Sequence, residues 1–177
     1  MLIYFSFNFY DETYFHHIPK NYKMKFPELE YARPDFAQFK TEFSKLIEQF
    51  KVESSIDELK KLFETIYSMR RTFDTAMTLV SIRNSIDTTN EFYEKEQEYF
   101  DENEPMYRDL VMQFYKALIE SPKRIELEKF YGSQLFMLAE LSIKTFSTEI
   151  IEDLQKENQL STEYTKLLAS ADRKSVV

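Results

Sequence analysis

Cysteine and tryptophan are absent from this 177-residue chain, glycine occurs once and histidine twice. Without cysteine it forms no disulfide, offers no thiol nucleophile and holds no thiolate-ligated metal, a composition that fits a reducing cytoplasm. The lone Gly132 excludes Gly-rich phosphate loops and most of the tight hairpins an antiparallel sheet requires. His16 and His17 are neighbours and so diverge in any regular structure. The following Ile18-Pro19-Lys20 gives no metal-ligand spacing, and a Ser-His-Asp arrangement is hard to build from them. No apolar run reaches the ~18 residues that span a bilayer. The aromatic start, residues 1–10, has no basic residue before the apolar run and no small-residue cleavage site after it, which argues against a signal peptide. A formal net charge of -8 argues against a general nucleic-acid-binding surface.

What remains is a chain 43% hydrophobic and 31% charged, with few turn residues. It reads as all-α: a bundle-like array of about four long helices and two short C-terminal ones, mostly antiparallel through short connections. Pro34 and a candidate N-cap, Asp35, precede Phe36, Phe39, Phe43, Leu46, Ile47 and Phe50 at three- and four-residue steps, one face of an amphipathic helix. Ser55 and Glu58 suggest a capping box ahead of Leu59, Leu62, Phe63, Ile66, Phe73 and Met77, a pattern uninterrupted to Ile86. A third helix starting near Thr89 carries Phe92, Phe100, Leu110, Val111, Phe114 and Leu118, with a kink expected at Pro105. Ser121-Pro122 reads as N-cap and first-turn proline of a fourth helix holding Ile125, Phe130, Leu135, Phe136 and Ala139, with Gly132 in its middle at a cost of about 1 kcal/mol against alanine. Ser147 and Ser161 read as caps of the two closing helices. The acidic run Glu91, Glu94, Glu96, Glu98, Asp101, Glu102 and Glu104 lacks the glycine turn and spacing of a calcium loop, so it reads as a solvated helix face.

Four stretches carry a likeness to a known family. Residues 24–34 (MKFPELEYARP), 81–94 (SIRNSIDTTNEFYE), 134–146 (QLFMLAELSIKTF) and 147–171 (STEIIEDLQKENQLSTEYTKLLASA) resemble, in this order and spacing, the region before the catalytic domain of the oligoendopeptidase F family. Those proteins are thimet-oligopeptidase-like zinc metallopeptidases. The resemblance implies a parent enzyme that hydrolyses oligopeptides in the cytoplasm. There a His-Glu-x-x-His helix and a downstream glutamate bind zinc, and the motif's glutamate serves as general base. No position of this chain matches that motif, so the resemblance assigns it no catalytic residue and no zinc ligand. This piece is expected to be inactive alone and to form one wall of a helical channel around the active site, its partners being the oligopeptide substrate and the catalytic domain.

Within that picture Arg83 and Asn84, in the polar stretch between two apolar helices, are candidates to face the peptide channel; the plainer reading of Arg83 is an i,i+4 pair with Asp87. Residues 1–23, crowded with aromatics, read as upstream sequence or an over-long start, and residues 24–171 as the N-terminal helical region. Residues 172–177 (DRKSVV) depart from the family. They coincide with one reading frame of a common sequencing adapter, so truncation of a longer gene is expected. Some of the 12 tyrosines and 17 phenylalanines should then lie exposed, where a catalytic domain would cover them. The rival reading is a stand-alone helical adaptor whose apolar faces dock a partner protein.

Overall fold

The structure, a computed structural model, describes residues 25–174, with side chains to Ala171. The leader expected at 1–23 lies outside the described residues, as do the side chains of the expected tail. Two compact units are present, Met1–Tyr31 and Ala32–Val177. Of the first, the described part is a single 3-10 turn, Phe26–Glu28, in which the Glu28 carboxylate accepts from the Lys25 N–H at 3.1 Å.

The second unit is all-α, as the composition implies, with no strand among the described residues. Its helices are α1 (Phe36–Val52), α2 (Ile56–Ile86), α3 (Glu91–Glu120), α4 (Arg124–Tyr131), α5 (Ser133–Thr145) and α6 (Ile151–Lys174). The caps follow from local chemistry. Asp35 accepts from Gln38 N at 3.0 Å and starts α1. Asn90 accepts from Phe92 N and Tyr93 N and starts α3, two residues past Thr89. The expected capping box at Ser55 does not form. Ser55 is the N-cap residue of α2 but makes no side-chain cap bond; instead the Glu53 carboxylate accepts from the N–H groups of Ser54 and Ser55, both at 2.7 Å.

Side-chain pairings fix the helix directions. Arg83 meets Tyr93, Phe73 meets Phe100 and Phe63 meets Phe114, so α2 and α3 run antiparallel. Phe36 N meets Tyr99 and Phe50 meets Phe114, so α1 and α3 run parallel. Glu94 pairs with Lys166 and Glu104 with Asn158, so α6 lies antiparallel to α3. α3 touches each of the other five helices.

The core is aromatic. Phe73, fully buried, sits among the rings of Phe36, Phe39, Phe100 and Tyr107 at centroid distances of 4.5–5.8 Å. A second group joins Phe50, Phe63, Phe114 and Tyr131. Such pairs add about 0.5–1.5 kcal/mol each beyond the area they bury. Three aromatic or aliphatic residues expected inside, Phe92, Ile125 and Phe130, are instead exposed.

Three segments differ in detail from the helical pattern. Gly132 does not lie within a helix: at φ 87°, ψ 151° it breaks the chain between α4 and α5, a conformation essentially restricted to glycine. Ser121 is the C-cap of α3, not the N-cap of the next helix; its Oγ accepts from Lys123 N at 3.3 Å. The closing segment is one 3-10 turn, Thr148–Ile150, followed by the 24-residue α6, with Ser161 inside it. Only Ser147 acts as a cap, accepting from Glu149 N. Helix propensity through residues 151–174 is unbroken by glycine or proline, so nothing stops the helix midway.

Candidate functional site

Pro105 continues α3 rather than ending it, and it is buried. A proline at this point has no N–H to give the carbonyl four residues earlier, that of Asp101. Here α6 supplies the missing donor: Asn158 Nδ2 reaches the Asp101 carbonyl at 3.4 Å, and Gln155 Nε2 donates to the next carbonyl, Glu102, at 2.8 Å. Thr162 Oγ1 donates to Asp101 Oδ2 at 2.7 Å and Lys166 to Glu94 at 2.6 Å. The expected kink position is thus the place where α6 docks, through a polar seam.

The same contacts correct the reading of the acidic run. Glu96 and Asp101 are buried, at 3% and 6% exposure, and do not form a solvated face. Glu96 accepts from Arg33 Nε at 2.8 Å, and the Arg33 guanidinium also lies over the Tyr99 ring. The Tyr99 hydroxyl accepts from Phe36 N at 3.0 Å and donates to the Pro34 carbonyl at 2.6 Å. Glu96 and Tyr99, one turn apart on α3, therefore clasp the chain as it enters α1. Beside this clasp an open cleft of about 590 Å³ is lined by residues including Arg33, Lys40, Tyr99, Asn103 and Met106. Burial raises the Asp101 pKa, against hydrogen bonds from Gln97 and Thr162.

Deeper between α2 and α3, the Tyr107 hydroxyl donates to Asp74 at 2.7 Å and Arg70 Nη1 to the Tyr115 hydroxyl at 3.2 Å. Burial raises the pKa of both Asp74 and Tyr107. The Arg70 Nε is buried with no hydrogen-bond partner among the described residues. These groups tie two helices together, and the described residues include no histidine or cysteine to complete a nucleophile–base pair.

Arg83 and Asn84 sit in the last turn of α2. Arg83 Nη1 donates to the Tyr93 hydroxyl at 2.8 Å, with the guanidinium over that ring, while Asp87 accepts from the Thr89 N–H and hydroxyl. Asn84 is buried and its Oδ1 has no partner among the described residues. The two neighbours are thus placed differently: the arginine is held at the α2–α3 junction, the asparagine on the core side of α2. The polarity of the stretch was visible in the sequence. The orphaned amide oxygen was not, because nothing in residue spacing separates a satisfied asparagine from an unsatisfied one.

Among the described residues no group of three or more His, Cys, Asp or Glu could hold a metal ion. The donors that a zinc site needs do not fit anywhere in this part of the chain, and both histidines lie outside it. No helix among the described residues is long and apolar enough to cross a membrane.

The sequence profile of the Peptidase M3 N-terminal domain matches residues 26–146. The chain belongs to the M3 peptidase family. Solved M3 relatives share the helical arrangement as well as the sequence. One, assigned as an oligoendopeptidase F, is 48% identical over 84% of this chain, with a TM-score of 0.80. PZ peptidase A, solved with an inhibitor, is 44% identical over 82% with the same TM-score. A further protein assigned as an oligoendopeptidase F, from Bacillus anthracis str. Ames, is 45% identical over 83%, again at 0.80. The likeness to oligoendopeptidase F noted in the sequence is therefore met. The chain spans about a quarter of the length of these relatives: 26%, 26% and 27%. A search of curated proteins gave no match.

Proposed function

We propose that this chain is the N-terminal helical wall of a zinc-dependent metalloendopeptidase that hydrolyses oligopeptides in the cytoplasm. The zinc ligands and the general base would come from the catalytic domain and not from these helices. The observation that carries the reading is the combination of 44–48% identity with a TM-score of 0.80 across more than four-fifths of the chain. In this reading α1–α3 form a rigid aromatic-cored wall, and the α2–α3 junction borders the peptide path. Arg83, steadied by Tyr93, would bind a carbonyl or carboxylate of the peptide, while Asn84, on the core side of α2, would back the junction from within.

The test is a chimera in which this chain replaces the matching quarter of the Bacillus anthracis relative. It should cleave a quenched fluorescent oligopeptide, lose that activity to a chelator and regain it with zinc. Arg83→Ala in the chimera should raise KM several-fold with kcat nearly unchanged, the pattern of lost ground-state binding. A folded chimera without peptidase activity would sink the reading, and unchanged KM would remove Arg83 from the channel.

A further inference from the structure

α6 has two dissimilar faces. Toward α3 it presents Gln155, Asn158, Thr162 and Lys166, every one of them hydrogen-bonded across the seam. None of its described side chains is buried. Ile151 and Leu154, in its first turn, are half-buried, but the large apolar side chains farther along point elsewhere: Leu160, Tyr164, Leu167 and Leu168 are 64%, 62%, 64% and 52% exposed. At 3.6 residues per turn the two sets are centred about 180° apart on the helix. Beyond its first turn the helix is attached by its polar side and bares its apolar side, the inverse of an ordinary surface helix, and it calls for a covering layer.

We propose that this outward face of α6 is an interdomain surface, packed in the complete protein against the remaining three-quarters of an M3 peptidase chain. The inference rests on the proposed membership in a longer peptidase. Size decides the occupant. Four such side chains present on the order of 400 Å², about half of the ~800 Å² per partner that a stable interface between separate proteins buries. A second copy of the chain would also meet the translational and rotational cost of association, which a covalently attached domain avoids. The relatives of matching fold supply a domain of that kind, since these helices account for only 26% or 27% of their length.

The experiment compares Leu160→Glu/Leu167→Glu in two settings, the chain alone and the Bacillus anthracis chimera. Alone, the chain should be a monomer by light scattering that binds a hydrophobic dye. The double substitution should weaken dye binding and move Tm by no more than about 2 °C, whereas in the chimera it should lower Tm by about 5 °C or more. Thr162→Ala, on the inner face, should lower Tm in both settings and so reports that α6 is docked. A dimeric chain rendered monomeric by the double substitution would assign the face to a second copy and overturn the proposal. So would a chimera indifferent to the substitution, or one that fails to fold with the wild-type face. Activity separates the two readings: an active but indifferent chimera removes the docking face alone, and an inactive chimera that does respond removes the peptidase reading alone.

Discussion

Phe73 shows how much of this fold rests on single side chains. It contacts rings from α1 and α3 at once, and Phe73→Ala should destabilise the chain by about 3–5 kcal/mol, read from the denaturant midpoint. The Arg33–Glu96 clasp is a smaller effect. Arg33 is half exposed, so its attraction to the buried carboxylate is partly screened, and Arg33→Ala should cost about 1–2 kcal/mol. Asp101 gives a pH test with a defined sign. Its folded pKa is raised by burial, so its contribution favours folding below the ordinary aspartate range and is lost as pH rises through the folded value. The Tm of Asp101→Asn, relative to wild type, should therefore climb as pH rises above the ordinary aspartate range. Glu94 works the other way. Its hydrogen bond and charge contact with Lys166 lower its pKa, a contribution present above the usual glutamate range and lost as pH falls. Comparing Asp101→Asn and Glu94→Gln each with wild type at every pH separates the two.

At the scale of elements, Gly132 and Pro105 are the instructive cases. The three- and four-residue spacing of Phe36, Phe39, Phe43 and Phe50 made α1 legible, because burial of one face dictates that period. The all-α class followed from the same logic. The break at Gly132 was not legible: apolar residues continue on both sides, and a mid-helix glycine costs only about 1 kcal/mol. The two readings make opposite predictions. Were Gly132 helical, Gly132→Ala would stabilise. At φ 87°, with open space where the alanine methyl group would stand, it should instead cost about 1–3 kcal/mol from backbone strain alone. Pro105 was read correctly as interior to a helix, but its use depends on a partner about 50 residues away that local pattern cannot supply. Pro105→Ala would return an N–H to the Asp101 carbonyl in competition with Asn158. Hydrogen exchange across residues 151–171 should then quicken several-fold, even though α3 itself gains a bond. The buried members of the acidic run escaped notice for the same reason: Glu96 and Asp101 are distinguished from their exposed neighbours by what faces them, not by their spacing.

For the whole molecule, membership in the M3 family was readable because identity is spread along the chain, in segments that turn out to build the helix ends and the last two α-helices. Which of Arg83 and Asn84 is held and which is buried was not readable, since both belong to one polar stretch at a helix end. One consequence of the architecture concerns time. α3 is the element that every other helix touches, yet it is third in chain order. During synthesis the α1–α2 hairpin leaves the ribosome with Phe39, Phe63 and Phe73 facing nothing from α3, and their ring partners are complete only once Phe100, Tyr107 and Phe114 have emerged. Nascent chains halted before that point should be captured by chaperones and cut by proteases, while those halted beyond it should resist both. The order of the helices makes the first half of the chain a debtor to the second for as long as translation lasts.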